Sequence, residues 1–477
     1  MNKLTKNYIY NSLYQVMLII IPLITTPYLT RTLGKTFLGI DSYVLSIVQL
    51  TNVIGALGTN TYAYREIAYV RDDKNKLIST FWELVIIRIV LCTVSCLVYV
   101  CIALRSEYRT IFGIQTITII SYFFDVSWFF IGMEEMKPVV IRNVCVKAVA
   151  TACIFLLVRE PEDIYIYVVI YALSQALGTL LIFIQLRSFM TIKRLGSIHI
   201  TRHLKSVILL FLPQAASVLY VQFDKTMLGI LSSDISSVSI YDKGQVITKT
   251  PILFAFALSA VLMPRMANEI SSGHMERVKQ LVTKALDWML LFSIPIAVGM
   301  FLIARVIVPW YLGSEYLESV FVVQILSPII VAISTSNVTG AQFLTAADST
   351  KYLTISYTVS AVLNLIGNFY LIPVWNEKGA ACTTLLAESL VVCIQLYAVR
   401  KLLGKLYLLK RISKKLIAAA VMGIVVFMMQ DIGNTIEVVI LQIITGAVIY
   451  FFVLLLLKDD SIWEFVNIGK EYLRERK

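Results

Sequence analysis

This 477-residue sequence is short of charge. Asp, Glu, Lys and Arg together make 15% of it, where soluble domains carry about 25%. With 58% hydrophobic residues and a mean hydropathy of +0.79, that shortage excludes a soluble globular chain. Long polar stretches are missing too, so no separate soluble domain fits between the apolar runs. Histidine occurs three times. His199 and His203 are spaced i, i+4 but have no third ligand type beside them, so a basic loop is expected there rather than zinc. The seven cysteines (Cys92, Cys96, Cys101, Cys145, Cys153, Cys382, Cys393) sit inside apolar runs and form no C-x-x-C pair. That excludes a disulfide framework and leaves them as small packing residues. A G-x-x-x-x-G-K-[ST] loop is absent, so the chain does not hydrolyse ATP by that route. Gly55 and Gly58 lie in a span and suit close helix packing, and Asp72-Asp73 sits in a basic loop where solvation is expected. With no nucleophile–base grouping either, the expectation is no catalytic residue, no metal and no cofactor. Movement is a better hypothesis than bond-making.

What the sequence has in quantity is apolar runs of about 20 residues, the length that crosses a bilayer as a helix. The candidate spans are 8–30, 38–58, 81–104, 110–132, 139–158, 164–186, 207–231, 240–263, 285–304, 319–342, 352–372, 379–399, 416–430 and 436–457. The fold class is therefore an all-α polytopic membrane protein with about fourteen transmembrane helices. The first span follows Lys3 and Lys6, is too long for a signal-peptide core and lacks a small-x-small cleavage site, so it is expected to stay uncleaved. The net charge of +12 reflects topology rather than nucleic-acid binding. Alternate loops collect the basic residues: Arg65, Arg71, Lys74 and Lys76, then Arg187, Lys193, Arg194, Arg202 and Lys205, then Arg265, Arg277, Lys279 and Lys284. The segment 400–415 adds Arg400, Lys401, Lys405, Lys410, Arg411, Lys414 and Lys415. By the positive-inside rule these loops are cytoplasmic, and so are both termini. The intervening loops, such as Arg159-Glu160-Pro161-Glu162-Asp163 and Ser232-Ser233-Asp234, are short and acidic or neutral. The tail (Lys470, Arg474, Arg476, Lys477) either touches anionic lipid or is simply solvated.

A weak repeat divides the chain. Pro22 and the closing Arg31-Thr32-Leu33-Gly34 of span one correspond to Pro213 and Met227-Leu228-Gly229 of span seven, and the interval Ile40–Arg65 equals Ile240–Arg265. Six spans separate the copies, which makes the halves parallel, as in several transporters. The expected domains are 1–200 with spans one to six, 201–400 with spans seven to twelve, and 401–477 with the last two spans and a basic tail. Prolines inside spans (Pro22, Pro27, Pro213, Pro251, Pro295, Pro328) remove helix hydrogen bonds and mark kinks.

Charges at membrane depth are costly unless they face a partner or a watery cavity. The stretch 211–265 is richest in them, with Gln214, Gln222, Asp224, Lys225, Asp242, Lys243 and Lys249. Asp242 and Lys249 are seven apart and share a helix face, and Asn364 and Asn368, four apart, share another. Arg88, Lys147, Lys225, Lys243, Lys249 and Arg31 are the candidate cations for an anionic substrate such as a diphosphate. Asp125, Asp224, Asp242 and Glu388 are candidates for ion coupling or charge balance. The competing reading makes some of these interhelical salt bridges. Glu83, Arg142 and Asp287, near span ends, are expected to snorkel.

Several runs resemble a known family. PLITTPYLTRTLGKTFLGIDSY followed by YAYREIAYVR resembles the opening of Wzx-type oligosaccharide repeat-unit flippases of the multidrug/oligosaccharidyl-lipid/polysaccharide (MOP) export superfamily. FDKTMLGILSS, SIYDKGQVITK and VLMPRMANEI resemble that family's second half, as do GAQFL at 340–344 and GAACTTLLAE at 379–388. The resemblance implies two pseudo-symmetric six-helix lobes around a central cavity plus two C-terminal helices. It implies a monomer in the bacterial plasma (inner) membrane, moving undecaprenyl-diphosphate-linked oligosaccharide to the outer leaflet by alternating access. Membrane lipids, a polysaccharide polymerase and chain-length proteins are the implied partners. Two relatives compete. Multidrug exporters carry a carboxylate in the first helix, where 8–30 has none, and lipid II flippases carry arginines there, where 17–29 has none. An integral-membrane glycosyltransferase or ligase, from a different class, would show a large outer loop that this chain lacks.

Overall fold

The computed structural model describes the backbone of residues 3–56, 58–189, 199–252, 262–406, 409–433 and 435–462, and every regular element among them is helical. Lys193, Arg194, the tail cations Lys470, Arg474, Arg476 and Lys477, and positions 253–261 of the eighth span lie outside the described residues, as do the side chains of Lys3, Lys6, Pro213 and Gln214.

The first two spans form one 54-residue element, α1 (Lys3–Ala56). A straight helix of that length would run roughly 80 Å, far beyond a hydrocarbon core of about 30 Å. It is broken at Gly34, with φ 72° and ψ 173°, backbone geometry that glycine reaches without a Cβ clash. α2 (Thr59–Val70) follows, then α3 (Lys74–Arg105). The α3 N-terminus is capped by Asp73, whose Oδ1 accepts the amides of Asn75 (3.1 Å) and Lys76 (3.2 Å). Asp73 thus has a structural role beyond solvation, and the Lys76 and Asn75 amides hold its carboxyl below the usual range. The fourth span is α4 (Arg109–Ser121) and α5 (Ser127–Gly132), interrupted at 122–126. α6 (Met136–Leu157), α7 (Ile164–Gln185) and α8 (Thr201–Leu231) carry spans five to seven.

α9 (Ser236–Lys249) and α10 (Leu262–Ser271) follow, then α11 (Met275–Leu312), which keeps Pro295 and Pro309 inside it. The tenth span is α12 (Ser319–Leu326) and α13 (Ile329–Ser336), which bend by 43° at Ser327-Pro328 before a π-helical turn at Asn337–Leu344. α14 (Thr350–Leu403) again joins two spans, broken at Asn376 with φ 47°. α15 (Leu409–Met428) and α16 (Ile436–Leu456) carry the last two expected spans. Each expected span coincides with a helical segment where the backbone is described. By length and apolar character alone, eight helices among the described residues qualify as spans, or nine with the bent pair counted as one. α1 and α14 each contain two of the expected spans. This is a multi-pass helical membrane protein.

Packing divides the chain into two units: Met1–Ile230 with Asp234–Ser239, and Leu231–Ser233 with Ile240–Lys477. In the first, an aromatic core joins α3 to α5: Phe81 stacks on Trp128 (5.4 Å between centroids) and meets Phe129 edge-on (5.4 Å). In the second, Met266, Leu286, Phe343 and Val399 form one core and Leu291, Ala419 and Tyr450 another. Helices gain little from hydrophobicity against lipid, so buried hydroxyls and amides contribute as well. Tyr241 Oη lies 2.8 Å from Thr384 Oγ1 and accepts from Gln245 Nε2 at 3.0 Å.

Candidate functional site

Arg88, on α3, is 3% exposed and has all three guanidinium nitrogens engaged. Nε donates to the Tyr122 carbonyl (2.9 Å), Nη1 to Asn60 Oδ1 (2.6 Å) and Nη2 to Asp125 Oδ2 (3.3 Å). Asp125 sits in the interruption between α4 and α5, where its Oδ1 accepts the Ser127 amide (3.1 Å) and hydroxyl (2.6 Å). The structure therefore pairs a predicted substrate cation, which is buried, with a predicted coupling acid, which is half-buried.

Lys147 is different. It stands eleven residues past Met136 and ten before Leu157 on α6, half-buried, and its ammonium has no partner among the described residues. Beside it Arg142 donates from Nη1 to the Gly178 carbonyl (2.5 Å) and from Nη2 to Asn143 Oδ1 (2.6 Å). Arg142 thus binds α7 rather than snorkelling to the interface. Asn143, Lys147, Ser174, Gln175 and Thr179 line a small polar crevice with it. Arg31 is exposed on α1 just before the Gly34 break, while Asp224 is buried and Lys225 half-buried on α8. The neighbouring Thr226 hydroxyl lies 2.6 Å from that of Ser46.

In the second unit, Lys243 Nζ donates to the adjacent Asp242 Oδ2 at 3.0 Å, so these candidates of opposite sign pair with each other on α9. Lys249 is the last residue of α9 and half-buried, and Glu388 is buried on the second limb of α14. Asn368 donates to Asn364 (3.2 Å) and accepts from Thr383.

Two ionic clusters were not legible as such. Glu83, expected to snorkel, is 1% exposed and receives the His199 amide (2.8 Å), Arg202 Nη2 (2.6 Å) and His203 Nε2 (2.7 Å). His203, expected in a solvated loop, is buried, with its Nδ1 2.7 Å from the Tyr62 hydroxyl. Likewise Asp287 accepts from Lys415 (2.6 Å), Arg411 (2.9 Å) and Ser461 (2.6 Å), and Lys415 is wholly buried. The signal available was an acid and a basic cluster at matching depth, but partners 120 or 128 positions apart cannot be paired from one sequence. The second unit also holds an apolar cavity of about 920 Å³ between α11, α12–α13, α14 and α15, with Phe301, Val331, Val392, Leu416, Ile424 and Phe427 on its walls.

Kinked spans, polar residues at membrane depth and a large apolar cavity fit a membrane transporter, and solved structures of that kind share the fold. A lipid II flippase MurJ in an inward closed conformation superposes with a TM-score of 0.76 at 16% identity, covering 94% of this chain and 99% of that one. An inward-facing multidrug resistance MATE family transporter of the MOP superfamily gives 0.59 at 13% identity, over 80% of this chain and 98% of that one. The family profile described as "Polysaccharide biosynthesis protein" matches residues 4–270, more than half of the chain, and the MatE profile matches 210–370. The chain belongs to the polysaccharide biosynthesis protein family. It is similar to the Escherichia coli (strain K12) protein named "Putative O-antigen transporter", 26% identical over 407 residues, 84% of this chain and 98% of that protein.

Proposed function

We propose that this chain is a flippase. It carries oligosaccharide repeat units linked to undecaprenyl diphosphate from the inner to the outer leaflet of the bacterial plasma membrane for surface polysaccharide assembly, with both termini cytoplasmic. The observation that carries this reading is the near full-length similarity to a protein named as an O-antigen transporter, within the family matched over 4–270. The residues fit the substrate's chemistry. Cations at depth (Lys147, Lys225, Lys243, Lys249, with Arg31) offset a diphosphate, while Asp224, Asp242 and Glu388 balance charge or couple an ion. Arg88 and Asp125, paired with each other, position α3 against α4. The apolar cavity suits the polyprenyl chain, since its lining offers isoprene units contacts equivalent to those of lipid.

The test is a deletion strain in which lipid-linked intermediates are extracted and assigned to a leaflet. The reading predicts complete repeat units on undecaprenyl diphosphate accumulating at the inner leaflet. Unchanged intermediates with new sensitivity to cationic dyes would favour a multidrug exporter, and accumulation of lipid II would favour the peptidoglycan precursor.

A further inference from the structure

The crevice between α6 and α7 has the chemistry of an anion site. Arg142 has only donors. Asn143 turns its amide oxygen to Arg142 Nη2, which leaves its NH₂ to donate. The Ser174 and Thr179 hydroxyls already donate to the Tyr171 and Ala176 carbonyls. No carboxylate is among the lining residues. Lys147 stands about 15 Å of helix from either end of α6, further than its side chain spans, so snorkelling does not relieve it. An ammonium at that depth without a counter-ion is costly, and a bound anion removes the cost. The crevice measures about 40 Å³. At roughly 10–15 Å³ per water-sized position, that is about three oxygen positions, enough for one phosphoryl group and too small for a sugar ring.

We propose that Arg142, Asn143 and Lys147 form a mid-membrane subsite for one phosphoryl group of a lipid-borne phosphate or diphosphate. The assignment rests on the flippase reading for the identity of that lipid, but the crevice itself does not depend on it. A polyprenyl diphosphate and an anionic phospholipid headgroup both present the chemistry, and the test separates them.

The full chain is placed in phosphatidylcholine nanodiscs. Binding of undecaprenyl diphosphate and of phosphatidylglycerol is measured by native mass spectrometry for wild type, Lys147→Met, Lys147→Arg and the loop control Lys76→Gln. We expect wild type to bind undecaprenyl diphosphate, Lys147→Met to bind at least tenfold more weakly, Lys147→Arg to stay within threefold, and Lys76→Gln to match wild type. Because Lys147 leaves no partner behind, Lys147→Met should also melt no lower than wild type. Equal binding by Lys147→Met overturns the subsite and leaves the flippase reading intact. A marked fall in its melting temperature overturns the subsite too, by making the lysine structural. Lys147-dependent binding of phosphatidylglycerol alone keeps the crevice as a phosphoryl site and counts against the flippase reading. Absence of any Lys147-dependent phosphoryl binding overturns the proposal.

Discussion

Arg88 and Lys147 look alike in the sequence, each a cation within an apolar run, yet the fold gives them opposite surroundings. Arg88 ends in three hydrogen bonds to partners on other segments, and Lys147 ends in a crevice. Sequence could find both, because charge at membrane depth is conspicuous, but it could not tell them apart, because the deciding contacts come from residues 28 to 37 positions away. The difference is measurable. Arg88→Gln removes the buried guanidinium from the half-buried Asp125 and should lower stability by about 1.5–3 kcal/mol, read as early melting in detergent and reduced membrane abundance. Lys147→Met should do neither. Lys415→Met should cost about 3–5 kcal/mol, since it leaves the buried Asp459 without its ammonium and removes one donor from Asp287. A Lys415→Met protein as stable as wild type would show that the cluster does not hold α15 against α11.

Among elements, the helices were the most legible part, because an apolar run of membrane length has one low-energy backbone in lipid. The breaks were less so. Gly34 announced itself as a glycine between two runs, but Asn376 gave no comparable signal, and the π-helical turn at 337–344 lies inside a run that reads as ordinary helix. The GAQFL sequence supplies that turn. A Cβ on Gly340 would lie 2.7 Å from Gln395 Nε2. The Gln395 amide is itself held at both ends, by the Thr339 hydroxyl (2.8 Å) and the Ser356 hydroxyl (3.3 Å). Gly340→Ala should therefore cost about 1–3 kcal/mol by overpacking, and distinctly less in a Gln395→Ala background. Strict additivity in that double-mutant cycle would contradict the packing account. At the start of α3, the lowered Asp73 carboxyl contributes its cap at neutral pH. It loses the cap only as pH falls below the usual carboxylate value of about 4. Hydrogen-exchange protection of the Lys76 amide, corrected for intrinsic rate, should hold constant down to that range and be low throughout in Asp73→Ala.

At the scale of the whole molecule, composition fixed the membrane class and motif order suggested the family that the profile match then showed, whereas the site was only partly readable. Apolar runs and basic loops are local properties, and they sum over hundreds of residues into an unambiguous signal. A binding site depends on which few charges the fold leaves unpaired, and that is settled by tertiary contacts. The central claim is that the chain moves a lipid-linked oligosaccharide between leaflets, and purified protein in liposomes tests it most directly. Undecaprenyl-diphosphate-linked repeat units are incorporated, and the fraction accessible to an impermeant glycan-modifying enzyme is followed over time. The account predicts that with wild-type protein the accessible fraction rises from about half toward completion, and that Lys147→Met liposomes stay at the protein-free level. Wild-type liposomes that remain at that level, with the protein folded and inserted, would contradict it.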